Sequence, residues 1–461
     1  MKTMQYILAR SLVAAAVLGA LTTAGACGSD DNAPTESDAG SLAETGVDST
    51  TPTDAAISDA ADAADTSTTL SPNFVHRDIN HILSTGQSLS TGAFGDPILS
   101  TSQPYANTRF VGGPRNGGSG LTSFMPLVED EVETMSSSLA NLVTKMSRDD
   151  LLRFQPAGKN SHDLLVSVHG IIGVGYSVLK KNGSMPAFAN GINQAKAALA
   201  LATAAGQSYV VRCVTNVHGE SDHLGGNTNY EANLFEWQSD YETDVKAITG
   251  QPDPIPMLHT QFSSWTQYST ATSAVAMAQL AAHVDKPGKI VLVGAKYHLP
   301  YVSDGVHLSN EGYRHMGEDY AKVYRRVILE GQTWEPVHPK SVTRAGAVVT
   351  AKMHVPAPPL VLDTTLVTDP GSYGFEWSDA SGAPPTITKV EITAPDTVQI
   401  TLSAAPTGTN KRLRYAYTGI IGAKAGATSG PRGNLRDSDA TPSRSGYKLY
   451  NWGVHFDVAS P

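Results

Sequence analysis

Between residues 78 and 330 short apolar runs alternate with amphipathic segments five times, and this alternation narrows the possible folds more than any other feature of the chain. Asn80-His81-Ile82-Leu83 reads as a first strand, and Asp163–Val168, Tyr209–Thr215, Ile255–His259 and Lys289–Val293 read as four more. A helix is expected over about Val132–Met146, where Met135, Leu139, Leu142 and Val143 fall at helical spacing. Further helices are expected over about Gly191–Ala205, Tyr230–Ile248, Ala271–Val284 and Asn310–Leu329. Gly206 and Gly250 stop two of them, and Ser309 is placed to cap the last. Such alternation closes as a parallel sheet covered on both faces. Residues 73–334 are therefore expected to form a flavodoxin-like three-layer α/β/α sandwich. The Gly-, Pro- and Ser-rich stretch 91–130 reads as a long loop region.

After Pro336 the helical patterns stop. Ala347–Thr350, Leu360–Leu362, Ile387–Ile392, Val398–Leu402, Arg412–Tyr417 and Val454–Val458 alternate with Gly, Pro, Asn and Asp at hairpin spacing. Residues 335–461 are expected to form a separate β-sandwich, an accessory domain.

The amino end carries two other textures. Residues 1–27 read as an export signal, with Lys2 and Arg10 before the apolar run Leu12–Leu21 and small residues Ala24-Gly25-Ala26 before Cys27. Cleavage there leaves a soluble exported protein. Alternatively, Cys27 is lipidated as in a bacterial lipoprotein and ties the chain to a membrane; the third position before it holds Ala24 rather than the usual Leu. Residues 28–72 hold ten acids and no Lys or Arg, with few large apolar side chains, and read as a disordered acidic tether. The formal net charge of −10 therefore sits almost wholly in that tether, and the remainder is close to neutral. Without a basic block, nucleic acid is not an expected partner. Of the two cysteines, Cys213 falls in an apolar strand and Cys27 in the leader, so no disulfide framework is expected.

Three strand ends carry the chemistry. Gly86-Gln87-Ser88 follows the first strand, a turn that can present a serine nucleophile at the carboxyl edge of a parallel sheet. Asp304-Gly305-Val306-His307 precedes the last helix. His307 can take the Ser88 proton, and Asp304, three residues earlier in a tight turn, can hold one imidazole nitrogen. His218-Gly219-Glu220-Ser221-Asp222 follows the third strand. Glu220 can replace Asp304 as the acid or brace the loop, and His218 can donate to an oxyanion or lie packed. Gly173 and Gly175, after the second strand, leave backbone amides approachable as oxyanion donors, beside that of Ser88. With no His-x-x-x-His or cysteine pair near these blocks, neither a catalytic metal nor any other cofactor is expected.

Together these blocks resemble the SGNH (GDSL-like) hydrolase superfamily, in its sialate O-acetylesterase-like carbohydrate esterase branch. Gly86-Gln87-Ser88 looks like that branch's nucleophile block, and Gly173-Val174-Gly175-Tyr176-Ser177 is similar to its Gly-rich oxyanion segment. His218-Gly219-Glu220-Ser221-Asp222 is similar to its Gln-Gly-Glu-Ser-Asp/Asn block, and Asp304-Gly305-Val306-His307 to its Asp-x-x-His block. The resemblance covers roughly residues 78–330. It implies a serine esterase that removes O-acetyl groups from carbohydrates, whether polysaccharide or sialic-acid-like. Ser88 is then the nucleophile, His307 the base, and Asp304 or Glu220 the acid. Leu89 stands where the branch usually has Asn, and His218 replaces the usual Gln. Two rival readings stand beside it. One is a lipase or arylesterase on the same scaffold. The other is a catalytically inactive glycan-binding surface protein, with Trp377, Tyr415, Tyr417, Tyr447, Tyr450 and Trp452 as a sugar-stacking face rather than core. Oligomeric state is not legible in the sequence.

Overall fold

The computed structural model describes residues 74–149 and 162–461. The leader, Cys27 and the acidic segment 28–72 lie outside the described residues. No helix among the described residues is long and apolar enough to cross a membrane.

The first part of the described chain is built on one seven-stranded sheet. Its strands are β1 (Ile79–Gly86), β2 (Thr108–Phe110), β3 (Phe124–Pro126), β4 (Leu164–Val168), β5 (Tyr209–Val217), β6 (Met257–Gln261) and β7 (Ile290–Ala295). They lie in the order β3-β2-β4-β1-β5-β6-β7. All neighbouring pairs are parallel except β2 with β3. The run β4-β1-β5-β6-β7 is the flavodoxin-like order, with β1 at the point where the winding reverses.

Helices cover both faces: α1 (Ser136–Asp149), α2 (Tyr176–Leu179), α3 (Ala187–Ala204), α4 (Glu220–Leu224), α5 (Tyr230–Thr249), α6 (Ala274–Asp285) and α7 (Asn310–Tyr324). Strand residues alternate between two cores, as a period of two requires. Ile82, Val166, Cys213, Leu258 and Val291 pack with α1 and α7, whose Leu139, Leu142, Met316 and Tyr320 share that core. Leu83, Leu165, Val214, Met257 and Ile290 face the other way, onto α3, α5 and α6. Such parallel strands are apolar on both sides, which is why they stand out as continuous runs in the sequence.

Three details differ from the sequence expectation. The stretch 91–130 is not all loop: β2 and β3 extend the sheet past β4. Helix α6 begins at Ala274 rather than Ala271, because the Ser273 hydroxyl accepts the Ala276 amide at 3.2 Å and sets the start. The last helix stays α-helical only to Tyr324 and ends in a π turn, Arg325–Leu329.

From residue 338 the chain forms antiparallel sheets. Strands β8 (His338–Ala345), β9 (Val348–His354), β12 (Ile387–Ala394) and β13 (Thr397–Leu402) make one; β11 (Phe375–Ser378), β14 (Arg412–Tyr415) and β16 (Phe456–Ala459) make another. β10 (Val361–Leu362) pairs with β15 (Leu435–Arg436). The two larger sheets share one core, in which Val349, Ile400, Phe375, Leu413 and Phe456 meet Ala295 and Tyr297 from the end of β7. The Tyr297 hydroxyl donates to the Gly453 carbonyl at 2.6 Å, and the Gln261 amide donates to the His455 carbonyl at 2.9 Å. Of the aromatics set out above, Trp377, Tyr415 and Trp452 are buried, which places them in the core rather than on a sugar-stacking face.

Candidate active site

Ser88 stands where β1 stops. Gly86 has a φ of +125°, and a Cβ there would meet the Val217 carbonyl oxygen at 2.3 Å, so only glycine lets the ends of β1 and β5 approach this closely. Beyond it the Ser88 carbonyl accepts the amides of Thr91 and Ala93 and the Thr91 hydroxyl, the last at 2.9 Å. That turn fixes the serine with its side chain at the sheet's carboxyl edge. Gln87 ties the turn to its neighbour: its side-chain carbonyl accepts the Ser221 amide at 3.0 Å.

His307 meets Ser88 from the far end of the fold. Its Nε2 lies 2.8 Å from Ser88 Oγ, and its Nδ1 lies 2.7 Å from Asp304 Oδ2. Asp304 Oδ1 accepts the Val306 and His307 amides at 2.8 and 2.9 Å, so one carboxylate both shapes the turn and holds the ring. Phe94 covers the imidazole with ring centroids 4.8 Å apart. Ser309 caps α7 immediately afterwards, accepting the Gly312 amide. Burial alone would raise the Asp304 carboxyl, but the His307 ring and the two amides outweigh it and hold it below the ordinary aspartate range.

The structure places Glu220 elsewhere. At the first residue of α4, its Oε1 accepts from Lys296 Nζ at 2.9 Å, with both side chains 1 % exposed. Burial would raise the carboxyl, but the Lys296 ammonium outweighs it and holds the group low. His307 Nδ1 is thus taken by Asp304, and Glu220 braces the end of β7 through Lys296.

His218 needs correction as an oxyanion donor. Its Nε2 faces the Val174 carbonyl at 3.2 Å, which can only accept, so that nitrogen carries the proton. Its Nδ1 then accepts from the Tyr230 hydroxyl at 2.7 Å. Both nitrogens are used, and burial pushes the ring below its ordinary pKa. What His218 holds is the loop that carries Gly173 and Gly175. Asp222 holds it too: its Oδ2 accepts the Tyr176 amide at 2.7 Å and lies against Gly175. Among the described residues, the amides of Ser88, Gly173 and Gly175 donate to no hydrogen-bond partner.

Several contributors were not singled out from sequence. Gln87 and Lys296 read as ordinary polar residues until their partners are known. Gln279 donates to the His218 carbonyl at 2.9 Å and accepts the Phe262 amide at 2.7 Å, pinning the end of β5 from α6. The carboxy-terminal region also reaches the site. The Ala425 amide donates to the Gly305 carbonyl at 3.1 Å, inside the turn between Asp304 and His307. The same segment is anchored where the Gly422 amide donates to the Thr266 carbonyl at 2.8 Å, and it leaves Ile420 and Ile421 exposed.

No protein-family model matches the chain, and no curated protein sequence matches it. Solved structures do. A carbohydrate acetylesterase from Xanthomonas citri aligns with a TM-score of 0.49 at 13 % identity, over 82 % of this chain and 80 % of that one. An Arabidopsis thaliana protein aligns with a TM-score of 0.40 at 16 % identity, over 54 % of this chain and 99 % of its own. A carbohydrate acetylesterase from Sinorhizobium meliloti gives 0.30 at 14 % identity, over 53 % and 97 %.

Proposed function

We propose that the chain is a serine esterase of the SGNH type, acting on O-acetylated carbohydrate. The observation that carries this reading is the unbroken chain of contacts from Ser88 Oγ through the His307 ring to the Asp304 carboxylate, at 2.8 and 2.7 Å. Ser88 is weakly nucleophilic until a base takes its proton. His307 Nε2 accepts that proton as Ser88 attacks the ester carbonyl, and Asp304 stabilises the imidazolium that results. The undonated Ser88 and Gly175 amides supply hydrogen bonds to the tetrahedral oxyanion. Collapse releases the alcohol, protonated by His307, and leaves an acetyl-serine. Water deprotonated by His307 then attacks this ester, and acetate leaves.

The acetyl-carbohydrate reading draws on the resemblance of the four sequence blocks. Purified enzyme is incubated with 4-nitrophenyl acetate and with acetylated xylan, following acetate, with Ser88→Ala alongside. Release from both, lost in the variant, is expected. Release by Ser88→Ala at the wild-type rate overturns the mechanism. A second reading, an arylesterase or lipase on the same scaffold, is favoured by exposed apolar side chains on elements around the serine: Ile172, Leu224, Ile420 and Ile421. Under that reading, rate rises with acyl length from acetate to octanoate instead of falling.

Export belongs to the same proposal, with either signal cleavage or lipidation at Cys27. Metabolic labelling with a radioactive fatty acid separates the two: label retained by the wild type and lost in Cys27→Ala marks the lipoprotein.

A further inference from the structure

Behind the catalytic loop, on the face of α7 away from Ser88, lies a cluster that the esterase reading does not use. His315 and Asp319 sit four residues apart on α7, on one helical face. His298 comes from the loop after β7, and its side chain is 7 % exposed. One ligating atom from each of the three lies within 4.8 Å of the others.

Their polar atoms are orphaned. His298 Nδ1 and Nε2, His315 Nε2 and Asp319 Oδ1 are all buried and make no hydrogen bond. His298 Nε2 stands 3.4 Å from Asp319 Oδ2. A buried unpaired polar atom typically costs about 1–3 kcal/mol, so four at one point call for a partner. The rings are also pre-set. The Lys448 carbonyl accepts from the His315 ring. Since Nε2 has no partner, that bond uses Nδ1–H and leaves the Nε2 lone pair toward the cluster. A carbonyl on the far nitrogen is how metal-bound imidazoles are usually oriented. Trp452 stacks on His298 with ring centroids 5.8 Å apart, and Tyr447 stacks on His315 at 4.6 Å. A small cavity lined by Thr260, Met316, Asn451 and Trp452 opens beside His298 and Asp319.

We propose that His298, His315 and Asp319 form a binding site for a divalent transition cation of the zinc class, clamping α7 to the loop after β7. Two imidazoles and a carboxylate are a zinc-type set, with bonds of about 2.0–2.2 Å, which side-chain movements of about an ångström achieve from the present spacing. One positive neighbour has to be tolerated: Lys322 Nζ is 4.0 Å from Asp319 Oδ1. It is already matched by Asp439 Oδ2 at 3.0 Å and Asn451 Oδ1 at 2.8 Å. The site's role is structural. It secures α7 close behind His307 and the loop that presents Lys296 to Glu220, and it holds whether or not the esterase reading does.

The test is metal binding by the full chain, independent of activity. Protein stripped with a chelator is titrated with Zn2+ by calorimetry, melted with and without Zn2+, and loaded with Co2+ for visible spectroscopy. Expected are about one ion per chain at micromolar or tighter affinity, a higher melting temperature with Zn2+, and Co2+ absorption bands in the visible. His298→Ala and Asp319→Asn weaken binding at least about tenfold, and Ser88→Ala leaves it unchanged. Stripped wild-type protein that takes up neither ion and melts at the same temperature overturns the site and assigns the orphaned atoms to internal water. Undiminished binding in the folded variants overturns it as well. Should a variant fail to fold, the wild-type titration decides.

Discussion

Asp304 reaches His307 from three residues away, with Oδ2 2.7 Å from Nδ1 and Oδ1 on the Val306 and His307 amides. A single carboxylate thus sets both the turn and the ring it orients. Glu220, the other acid near the serine, is matched to Lys296 instead.

That division of labour predicts the order of two kinetic effects. Asp304→Asn leaves the turn largely intact but cannot stabilise an imidazolium, and kcat for acetate release is expected to fall about 10³–10⁴-fold. Glu220→Gln, measured per folded molecule, is expected to stay within about tenfold of wild type, as a residue acting through others does. Steady-state kinetics on 4-nitrophenyl acetate with both variants decides it, and the reverse order makes Glu220 the triad acid.

Glu220→Gln should instead show itself in stability. It leaves the Lys296 ammonium buried without its charge partner, a change that typically costs about 3–5 kcal/mol. Removing both charges, in Glu220→Gln with Lys296→Met, should recover much of that loss. Urea unfolding of the single and double variants is the measurement. Equal midpoints for the two mean that the pair carries no such coupling.

Acid sensitivity follows from buried imidazoles. Burial pushes His81, His259 and His455 down to about 3. They stay neutral in the fold, while in the unfolded chain they take up protons below about 6.5. The unfolded state therefore gains protons as pH falls. This contribution to stability is intact above about pH 6.5 and is lost progressively toward pH 3, by about 1–2 kcal/mol per histidine between pH 7 and pH 5. Glu220 and Asp304, held low in the fold, act in the same direction at lower pH. Glu129, pushed up to about 8 by burial, acts oppositely, because its fold-stabilised proton is lost as pH rises from about 4.5 to 8, and it offsets roughly one histidine. Unfolding midpoints in urea should fall from pH 7 to pH 5, and a flat profile contradicts the burial argument.

What the sequence disclosed and what it hid have physical causes. The parallel strands were legible because both faces are buried: Ile82 and Leu83 enter opposite cores, so the run is apolar without interruption. Strands β2 and β3 were not, because three-residue strands carrying Arg109 and the exposed Met125 have no pattern of their own and form only against the β4 edge. Ser88, Asp304 and His307 were legible because turn chemistry and short spacing mark them locally. Lys296 was not. A lysine at a strand end ordinarily reads as exposed, and its burial makes sense only once Glu220, far upstream, is folded against it. His315 and Asp319 carry a local helical spacing, but His298 joins them only through the packing of α7 on the end of β7.

The last prediction concerns the carboxy-terminal segment that leans on the catalytic turn. Gly305 has a φ of +70°, and a Cβ there would lie 2.4 Å from Lys424 Cβ. Gly305→Ala is thus opposed twice, by the left-handed backbone and by a chain segment more than a hundred residues away. The left-handed conformation costs a non-glycine residue about 1–2 kcal/mol. The steric conflict has to be relieved by moving either the Ala423–Ala425 segment or the turn itself. The segment is anchored, since the Thr266 hydroxyl donates to the Ala423 carbonyl and the Ala425 amide donates to the Gly305 carbonyl. The turn should therefore give, and a displacement of His307 by even about an ångström is expected to lower kcat/KM about 10²-fold. Lys424→Gly in the same chain removes the obstructing Cβ and should return part of the activity while leaving the backbone strain in place. Recovery in the double variant ties the carboxy-terminal region to the geometry of the base. Equal activities for Gly305→Ala with and without Lys424→Gly would sink that link and leave backbone strain as the whole effect.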